Sequence, residues 1–505
     1  MTRFRHSHYA HAMKRAASGI LPLIAIDRKA AKPLHTQIYD AYRTGIVSGR
    51  FRPGQRIPST RVLATELEVS RFPVLNAYAQ LLAEGYFESR VGAGTVVSSL
   101  LPDQLTPSKL TRARVAAARS GPRPVARRTS ALRRIQSFPS LQGLGAFCVG
   151  QVASDQFPLR VWSNLVAHRS RNMDARSLHY GDHMGFRPLR EMIASYLRTA
   201  RSLHCDAEQV MIVSGSQQAL ELSARVLLDP GSSVWVEEPG YRMAQDVFAL
   251  NDCHLVPVPV DREGLDVAAA IKQAPTARAA FVTPSHQFPL GVTMSASRRF
   301  QLLDWAQRNG SWIIEDDYDS EYRYESSPIA SLQGLDSHAR VVYIGTFSKV
   351  LFPSLRLGYL VIPSDLVERF LAVRHAMDLG PPTFHQEVLE DFFEQGHFAR
   401  HIRRMRILYR ERRSALVKSI HAELGSTVEV LGSEAGMHLV VTLPKGSRDL
   451  EIAERAARHN LWMWPLSGAY LGATARPGLI LGFGGATPAE IPSAVAKLRR
   501  LLAIK

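Results

Sequence analysis

The sequence predicts an α/β protein led by a small unit of three helices and a hairpin, and three observations predict it. From about Leu178 onward, short apolar runs of strand character alternate with helical stretches. Residues 33–97 carry three helical patterns and then a two-residue alternation. Between them, from Gln104 to Ser154, there is no acidic residue, while nine Lys and Arg are interleaved with Ala, Ser and Pro. A packed core is not built from such a stretch, which reads as a solvated connector.

A chain of 505 residues exceeds a single hydrophobic core, and 46% apolar content suffices for two. The net charge of +17 is concentrated at the front. Residues 1–154 hold 23 Lys and Arg against 7 Asp and Glu, and the remainder is nearly neutral. Such an asymmetry serves a polyanionic partner, nucleic acid ahead of an anionic membrane surface. Cys148, Cys205 and Cys253 are too few and too scattered for a disulfide framework or a zinc site, so no metal site is expected and a reducing cytoplasm fits best. The apolar run Ile20–Ile26 is short and broken by Pro22, so no membrane partner is expected.

Element by element, Leu34, Ile38, Tyr42 and Ile46 stand at helical spacing, and Gly49 with Pro53-Gly54 ends that helix. Ser59 caps a second helix, Thr60–Glu66. After a tight turn at Glu68-Val69, Ser70 opens a third that reaches about Glu84. Two helices joined so tightly form a helix-turn-helix. Tyr86–Arg90, a turn through Gly92 and Gly94, and Thr95–Val97 then form the hairpin, or wing. A recognition helix presents its N-terminal residues to base edges, so Arg71 and Phe72 are best placed for contact, with Arg61 and Arg90 adding charge on the flanks. For Ser59 and Ser70, helix capping and phosphate contact are both open; for Gly92 and Gly94, a plain tight turn is the alternative. Pro73 has no N–H to offer the Ser70 hydroxyl, so Ser70 is expected to cap through the Phe72 amide. Phe72 itself is expected to make an apolar contact, such as one to a thymine methyl.

The region resembles the winged helix-turn-helix of the GntR superfamily through PSTR from Pro58, LATEL from Leu63, the Ser70-Arg71 pair, YAQLLAEGY from Tyr78 and GAGT from Gly92. The connector, treated as a coil of about 40 residues, spans roughly 35 Å. That is close to the roughly 34–36 Å between half-sites one DNA turn apart. A helical piece near Leu110–Arg119 is a further expectation within it.

In the large unit, strands are expected at Val210–Val213, Ser233–Val236, Ala280–Val282, Trp312–Ile314 and Val341–Ile344. Open parallel sheets bind ligands past the carboxyl ends of such strands, where polar and glycine residues follow here. Ser214–Gln218 precedes a helix whose amides suit a phosphate. A pyridoxal cofactor needs a lysine, a carboxylate for its ring nitrogen and donors for its phosphate. Lys349, Asp316, and the set Thr346, Ser348 and Arg356 supply these in order. Asp317 and Asp319 are expected as solvated or capping charges, and His286 as a structural hydrogen-bonder.

From Tyr180 to Gly485 the chain resembles the fold-type I aminotransferases. With the front unit it resembles the MocR/GabR group of regulators, through YGDHMGFRPLRE from Tyr180, VSGSQQALEL from Val213, VEEPGY from Val236, VTPSHQFPLGV from Val282, IIEDDYDSEYRY from Ile313 and YIGTFSKVLFPSLRLGYLV from Tyr343. The resemblance implies a mostly parallel sheet with a smaller C-terminal α+β subdomain. It implies pyridoxal 5'-phosphate held by an imine to Lys349, Asp316 on the ring nitrogen and Tyr318 on the ring hydroxyl. Ser216, Gln217, Ser348 and Arg356 would bind the phosphate, Tyr241 would stack on the ring, and Tyr180 would arrive from a neighbouring subunit. A homodimer with each front domain lying across its partner is also implied.

The expected organisation is therefore a basic arm (1–30), a winged helix-turn-helix (31–98), a basic flexible linker (99–140) and an aminotransferase-like effector domain (141–505). The expected function is cytoplasmic, nucleoid-associated transcription regulation of the bacterial type. Its partners are double-stranded operator DNA and an amine or amino-acid effector, or the cofactor itself. The alternative is an active aminotransferase with an accessory DNA-binding domain. One departure bears on the effector: Leu479–Phe483 lacks the arginine with which aminotransferases usually hold a substrate carboxylate, leaving Arg476 and Arg242 as nearby candidates.

Overall fold

The computed structural model describes residues 24–90, 94–99, 126–132, 143–324, 330–472 and 475–502. The chain divides into two compact units, Met1–Pro124 and Val125–Lys505. Most of the basic arm, most of the linker with its expected helical piece, and Gly92 lie outside the described residues.

The front unit packs helices α1 (Leu34–Val47), α2 (Thr60–Glu66) and α3 (Arg71–Ala83) against a hairpin of β1 (Phe87–Arg90) and β2 (Gly94–Val97). Pairing runs from Phe87 opposite Val97 to Arg90 opposite Gly94. Ile38, Tyr42 and Ile46 are buried, as the helical spacing requires. The aromatic rings of Tyr42, Tyr78 and Phe87 meet edge to face at 5.2–5.7 Å and form the centre of this core. Each buried phenol is satisfied: the Tyr42 and Tyr78 hydroxyls lie 3.2 Å apart, and Tyr78 donates to the Pro58 carbonyl at 2.9 Å. Ile24 is buried in the same core, and Arg28 donates to the Leu67 and Glu68 carbonyls, so the folded unit reaches into the expected arm.

The large unit opens with helices α4 (Leu159–Arg171) and α5 (Arg187–Arg201), then builds an α/β layer. In chain order come β3 (Val210–Val213), α6 (Ser216–Leu227), β4 (Ser233–Glu238), α7 (Arg242–Leu250), β5 (His254–Asp261), β6 (Gly264–Leu265), α8 (Val267–Gln273) and β7 (Ala279–Val282). There follow α9 (Ala296–Asn309), β8 (Trp312–Asp317), α10 (Leu332–Leu335), β9 (Val341–Thr346) and β10 (Gly358–Val361). The eight strands lie in the order β3-β10-β9-β8-β7-β4-β5-β6. The run from β9 to β5 is parallel, while β10 is antiparallel to both its neighbours and β6 is antiparallel to β5.

Alternation along these strands fills both faces. Val234, Val236 and Ile314 pack on one side with Leu220 and Phe248; Trp235 and Ile313 pack on the other, where Trp235 stacks on Trp305 at 3.7 Å. Helices α11 (Val367–Asp378), α12 (Phe384–Glu394) and the 28-residue α13 (His397–Leu424) lead to a smaller subdomain. Its antiparallel sheet joins β11 (Val430–Leu431), β12 (His438–Thr442), β13 (Trp464–Pro465) and β14 (Gly478–Gly482) in the order β11-β12-β14-β13. Helices α14 (Asp449–Ala457) and α15 (Ile491–Leu502) complete it. The α/β class is as the sequence pattern predicts, and the mostly parallel sheet and smaller C-terminal subdomain are as the resemblance implies.

Candidate functional site

A cavity of about 270 Å³ opens past the carboxyl ends of the central strands, where β3, β4, β7, β8 and β9 each give way to a loop. Lys349, Asp316, Tyr318, Ser216, Gln217, Tyr241, Thr346, Ser348 and Arg356 all line it. Tyr180 does not: it is 84% exposed on this chain.

Strand parity explains how one acidic run serves different ends. Asp316 faces the cavity, while Glu315 and Asp317 make their contacts away from it. Glu315 accepts from the Leu332 and Gln333 amides at 2.9 and 3.0 Å. Asp317 pairs with Arg201 at 2.6 Å and accepts from the Tyr343 hydroxyl at 2.6 Å. Asp319 is also buried and lies 3.1 Å from His286 Nδ1. The expectation of solvated charges at Asp317 and Asp319 is thereby corrected, since both are interior and each has a specific partner.

Asp316 Oδ1 is buried and accepts no hydrogen bond. Burial first, then the nearby Asp317 and Asp319 charges, push its carboxyl up to about 7, against a lowering by Lys349. Burial pushes the Lys349 ammonium down, opposed by Asp319 and Asp316. Lys349 Nζ makes only a long contact, 3.4 Å, with the Gly150 carbonyl. Gly150 sits at φ +78°, and a Cβ there would fall 2.5 Å from Nζ, so the glycine is what lets the lysine end enter.

On the opposite side, Gly215 at φ +94° turns the chain into α6, whose first residue is Ser216. The turn Pro353–Leu355 sets Arg356 beside it, and Arg356 Nη2 donates to the Ser214 carbonyl at 2.7 Å. A helix start, a guanidinium and the Thr346 and Ser348 side chains thus converge on one end of the cavity, a constellation suited to an anion. Tyr241 stands edge-on to Phe288 at 5.6 Å. The Tyr318 hydroxyl donates to the His286 carbonyl at 2.9 Å and lies 3.0 Å from His286 Nδ1, consistent with His286 as a hydrogen-bonder.

Residues 146–495 match the family of aminotransferases class I and II, and residues 34–97 match the bacterial regulatory proteins of the gntR family. The probable rhizopine catabolism regulatory protein MocR of Rhizobium meliloti is 38% identical over 94% of this chain and 95% of its own length. The pyridoxine biosynthesis regulator PdxR of Corynebacterium glutamicum is 31% identical over 91% of this chain and 94% of its own. The chain belongs to the MocR-type regulators. Among solved structures, the kynurenine aminotransferase of Pyrococcus horikoshii superposes on 75% of this MocR-type chain, and on 96% of its own, with a TM-score of 0.69 and 27% identity. LysN of Thermus thermophilus, complexed with N-(5'-phosphopyridoxyl)-L-leucine, matches at the same TM-score and identity over 75% of this chain and 97% of its own.

In the gntR-like unit of this MocR-type chain, Ser59 caps α2 by accepting from the Val62 amide at 3.3 Å. Ser70 makes no side-chain capping bond, contrary to the expectation that it would use the Phe72 amide. With Pro73 in the third helical position, the usual donor is missing, and the hydroxyl does not turn back to the second amide. Arg71 Nε reaches across to Thr60 Oγ1 at 3.1 Å, which ties the starts of α2 and α3 together. Phe72 is 70% exposed, and Leu75, one turn on, is also exposed. Arg61 is exposed on α2, and Gly94, at φ +81°, begins the returning wing strand opposite Arg90.

Sequence reasoning missed Gly150, Phe288, His438 and Trp464, which also line the cavity. His438 and Trp464 lie on strands of ordinary character with no local signal, and Phe288 lies in the loop after β7, within the quoted motif from Val282. Burial and the adjacent His286 push His438 down to about 3, and its Nε2 donates to the Pro289 carbonyl at 3.0 Å. Of the two candidate arginines, Arg476 is paired with Glu429 at 2.7 Å, whereas Arg242 lines a second cavity beside the first.

Proposed function

We propose that this chain is a cytoplasmic, DNA-binding regulator that holds pyridoxal 5'-phosphate at Lys349 and responds to an amine, an amino acid or the cofactor itself. Residues 31–98 would read double-stranded operator DNA, 99–140 would tether them, and 141–505 would sense the effector. The observation that carries the reading is the pairing of a buried, unsatisfied carboxylate oxygen on Asp316 with a desolvated lysine in one cavity. An orphaned buried acceptor is costly unless a ligand supplies its donor.

The residues fit the cofactor. Asp316 would accept from the ring nitrogen, Tyr318 would face the ring hydroxyl and Tyr241 would lie on the ring. Ser216, Gln217, Thr346, Ser348 and Arg356 would hold the phosphate, and Lys349 would form the covalent link. Bound there, the group supplies an aldehyde carbon open to primary amines and an electron-withdrawing ring. Burial favours the neutral, nucleophilic form of the Lys349 amine. Asp316, with its carboxyl near 7, holds or releases a proton at Oδ1 around neutrality. Tyr318, fixed by His286, orients its hydroxyl within the cavity.

Tyr180, exposed on a single chain, suits the role of a residue that completes a neighbouring subunit's site in a homodimer with exchanged front domains. Effector exchange at Lys349 would shift the balance between two dimer states, and operator affinity changes only as far as the two states differ in affinity for the effector. On the DNA side, the exposed Arg71 and Phe72 would face base edges, with Ser59, Ser70, Arg61, Arg90, Gly92 and Gly94 near the backbone. Among the described residues no helix is long and apolar enough to cross a membrane.

The test reconstitutes purified protein with pyridoxal 5'-phosphate and measures its visible absorbance and its affinity for duplexes from its own promoter. Lys349→Ala should lose the bound absorbance and the response to amines while retaining DNA binding. A variant that still responds to amines, or a wild type that ignores the duplexes, overturns the reading.

A further inference from the structure

A second cavity, of about 460 Å³, lies against the first and shares Gln217, Tyr241, Met243, Phe288 and Trp464 with it. Its other walls include Val247 and Leu250 from α7 and Ile480 from β14, so it is apolar over most of its surface. Where a carboxylate anchor would be useful, β14 offers only Gly478–Gly482, with Ile480 facing the space. Two charged residues, Arg242 and Asp246, also line it, each with a partner of its own, and the last wall residue that matters here is Leu132.

Leu132 closes the short 3-10 turn Arg127–Ala131, which packs along α7. The turn holds itself together through the Thr129 amide and hydroxyl, which donate to the Ala126 carbonyl at 3.1 and 2.7 Å. Arg127, Arg128 and Thr129 are exposed, and Leu132 is half-buried at the cavity wall. This segment belongs to the basic connector that joins the large unit covalently to the gntR-like unit. A piece of the connector is therefore a wall of the space beside Lys349.

We propose that the second cavity receives the apolar part of the effector, and that Leu132 seals it, so that ligand occupancy fastens the connector to α7. The inference rests on the reading of Lys349 as the attachment point for amines. Its ligand class is a primary amine carrying a bulky hydrocarbon or aryl group, with no carboxylate required. Such a group would remove the rest of the Leu132 side chain from water, which favours the docked turn. Docking in turn would strengthen ligand binding by the same factor, because coupling between two sites is reciprocal.

The test follows amide hydrogen exchange of the peptide spanning residues 126–132 in the full-length protein reconstituted with pyridoxal 5'-phosphate. The probes are phenethylamine and methylamine, with the cofactor absorbance recorded in the same samples. Phenethylamine should slow exchange of this peptide about fivefold or more, within the usual range of coupling between sites. Methylamine, which attaches but cannot fill the cavity, should leave it unchanged. In Leu132→Asp and in the milder Leu132→Ser, phenethylamine at concentrations that saturate the absorbance change should produce no slowing. An absorbance change with phenethylamine but no slowing, equal slowing with methylamine, or undiminished slowing in both variants overturns the proposal while leaving the Lys349 reading intact. If neither amine alters the absorbance, the Lys349 reading fails and this inference fails with it.

Discussion

Arg201 grips Asp317 at 2.6 Å inside the protein, with both side chains almost wholly shielded from solvent, immediately behind the cavity residue Asp316. Arg201 also donates to Ser285 Oγ at 2.7 Å, and Tyr343 donates to Asp317 Oδ2, while the buried Asp317 Oδ1 accepts no hydrogen bond. Removing one member strands a buried charge. Arg201→Met should therefore cost about 3–5 kcal/mol of stability in urea unfolding. The double variant with Asp317→Asn should recover a large part of that loss. A single variant as stable as wild type would show the pair to be dispensable.

Asp316 makes stability depend on pH in a direction that can be worked out. Its carboxyl is raised from its ordinary 3.8 to about 7, so the folded protein without cofactor binds more protons than the unfolded chain between those values. Stability from this group is therefore greatest at the acid end and is lost as pH rises from about 4 to about 7. Glu237 and Glu315, also raised to about 7 by burial, act in the same sense. Asp316→Asn should flatten the dependence by up to about 4 kcal/mol across that window, measured by urea unfolding of the cofactor-free protein at several pH values. An unchanged slope would remove Asp316 from the account.

Gly150→Ala separates lysine placement from folding. The new Cβ would meet Lys349 Nζ at 2.5 Å, and because Nζ is the end of a flexible chain, the lysine moves before the backbone does. The positive φ adds a backbone penalty of about 1 kcal/mol. Affinity for pyridoxal 5'-phosphate should fall on the order of tenfold, equivalent to about 1.4 kcal/mol, with the fold retained. Absorbance titration with the cofactor measures the first and thermal unfolding the second. Undiminished cofactor affinity would mean that Nζ does not need the Gly150 position.

The elements that could be read from sequence are those whose signal is local. The five predicted strands appear as β3, β4, β7, β8 and β9, each built from β-branched and aromatic runs, and the three front helices fall where apolar spacing sets them, with a side-chain cap only at Ser59. Strand β10 was not predicted, although its residues lie within the quoted motif from Tyr343, because an apolar four-residue run does not declare its antiparallel place between β3 and β9. The site divides in the same way. Lys349, Asp316 and Arg356 stand out by chemical type, whereas His438 and Trp464 come from the small sheet more than 80 residues later in the chain and meet the cavity only through tertiary packing. Asp317 and Asp319 were misread because charge suggested solvent; the partners that allow their burial, Arg201 and His286, are distant in sequence.

Phe72 offers a test of what the front unit reads. An exposed phenylalanine at the start of α3, followed one turn later by exposed Leu75, gives this helix an apolar leading edge where a hydrogen-bonding contact would be commoner. Thymine presents a methyl group in the major groove, and burying one methyl-sized group contributes about 0.8 kcal/mol. The full-length protein should therefore select duplexes from a random library with thymines at fixed half-site positions, and replacing those thymines by deoxyuridine should weaken binding by about that amount for each methyl contacted. In Phe72→Ala the thymine and deoxyuridine duplexes should bind alike, while Arg71→Ala should cost about 1–3 kcal/mol and relax the sequence preference at the position it reads. If Phe72→Ala ranks the selected sequences as wild type does, the apolar edge takes no part in reading bases.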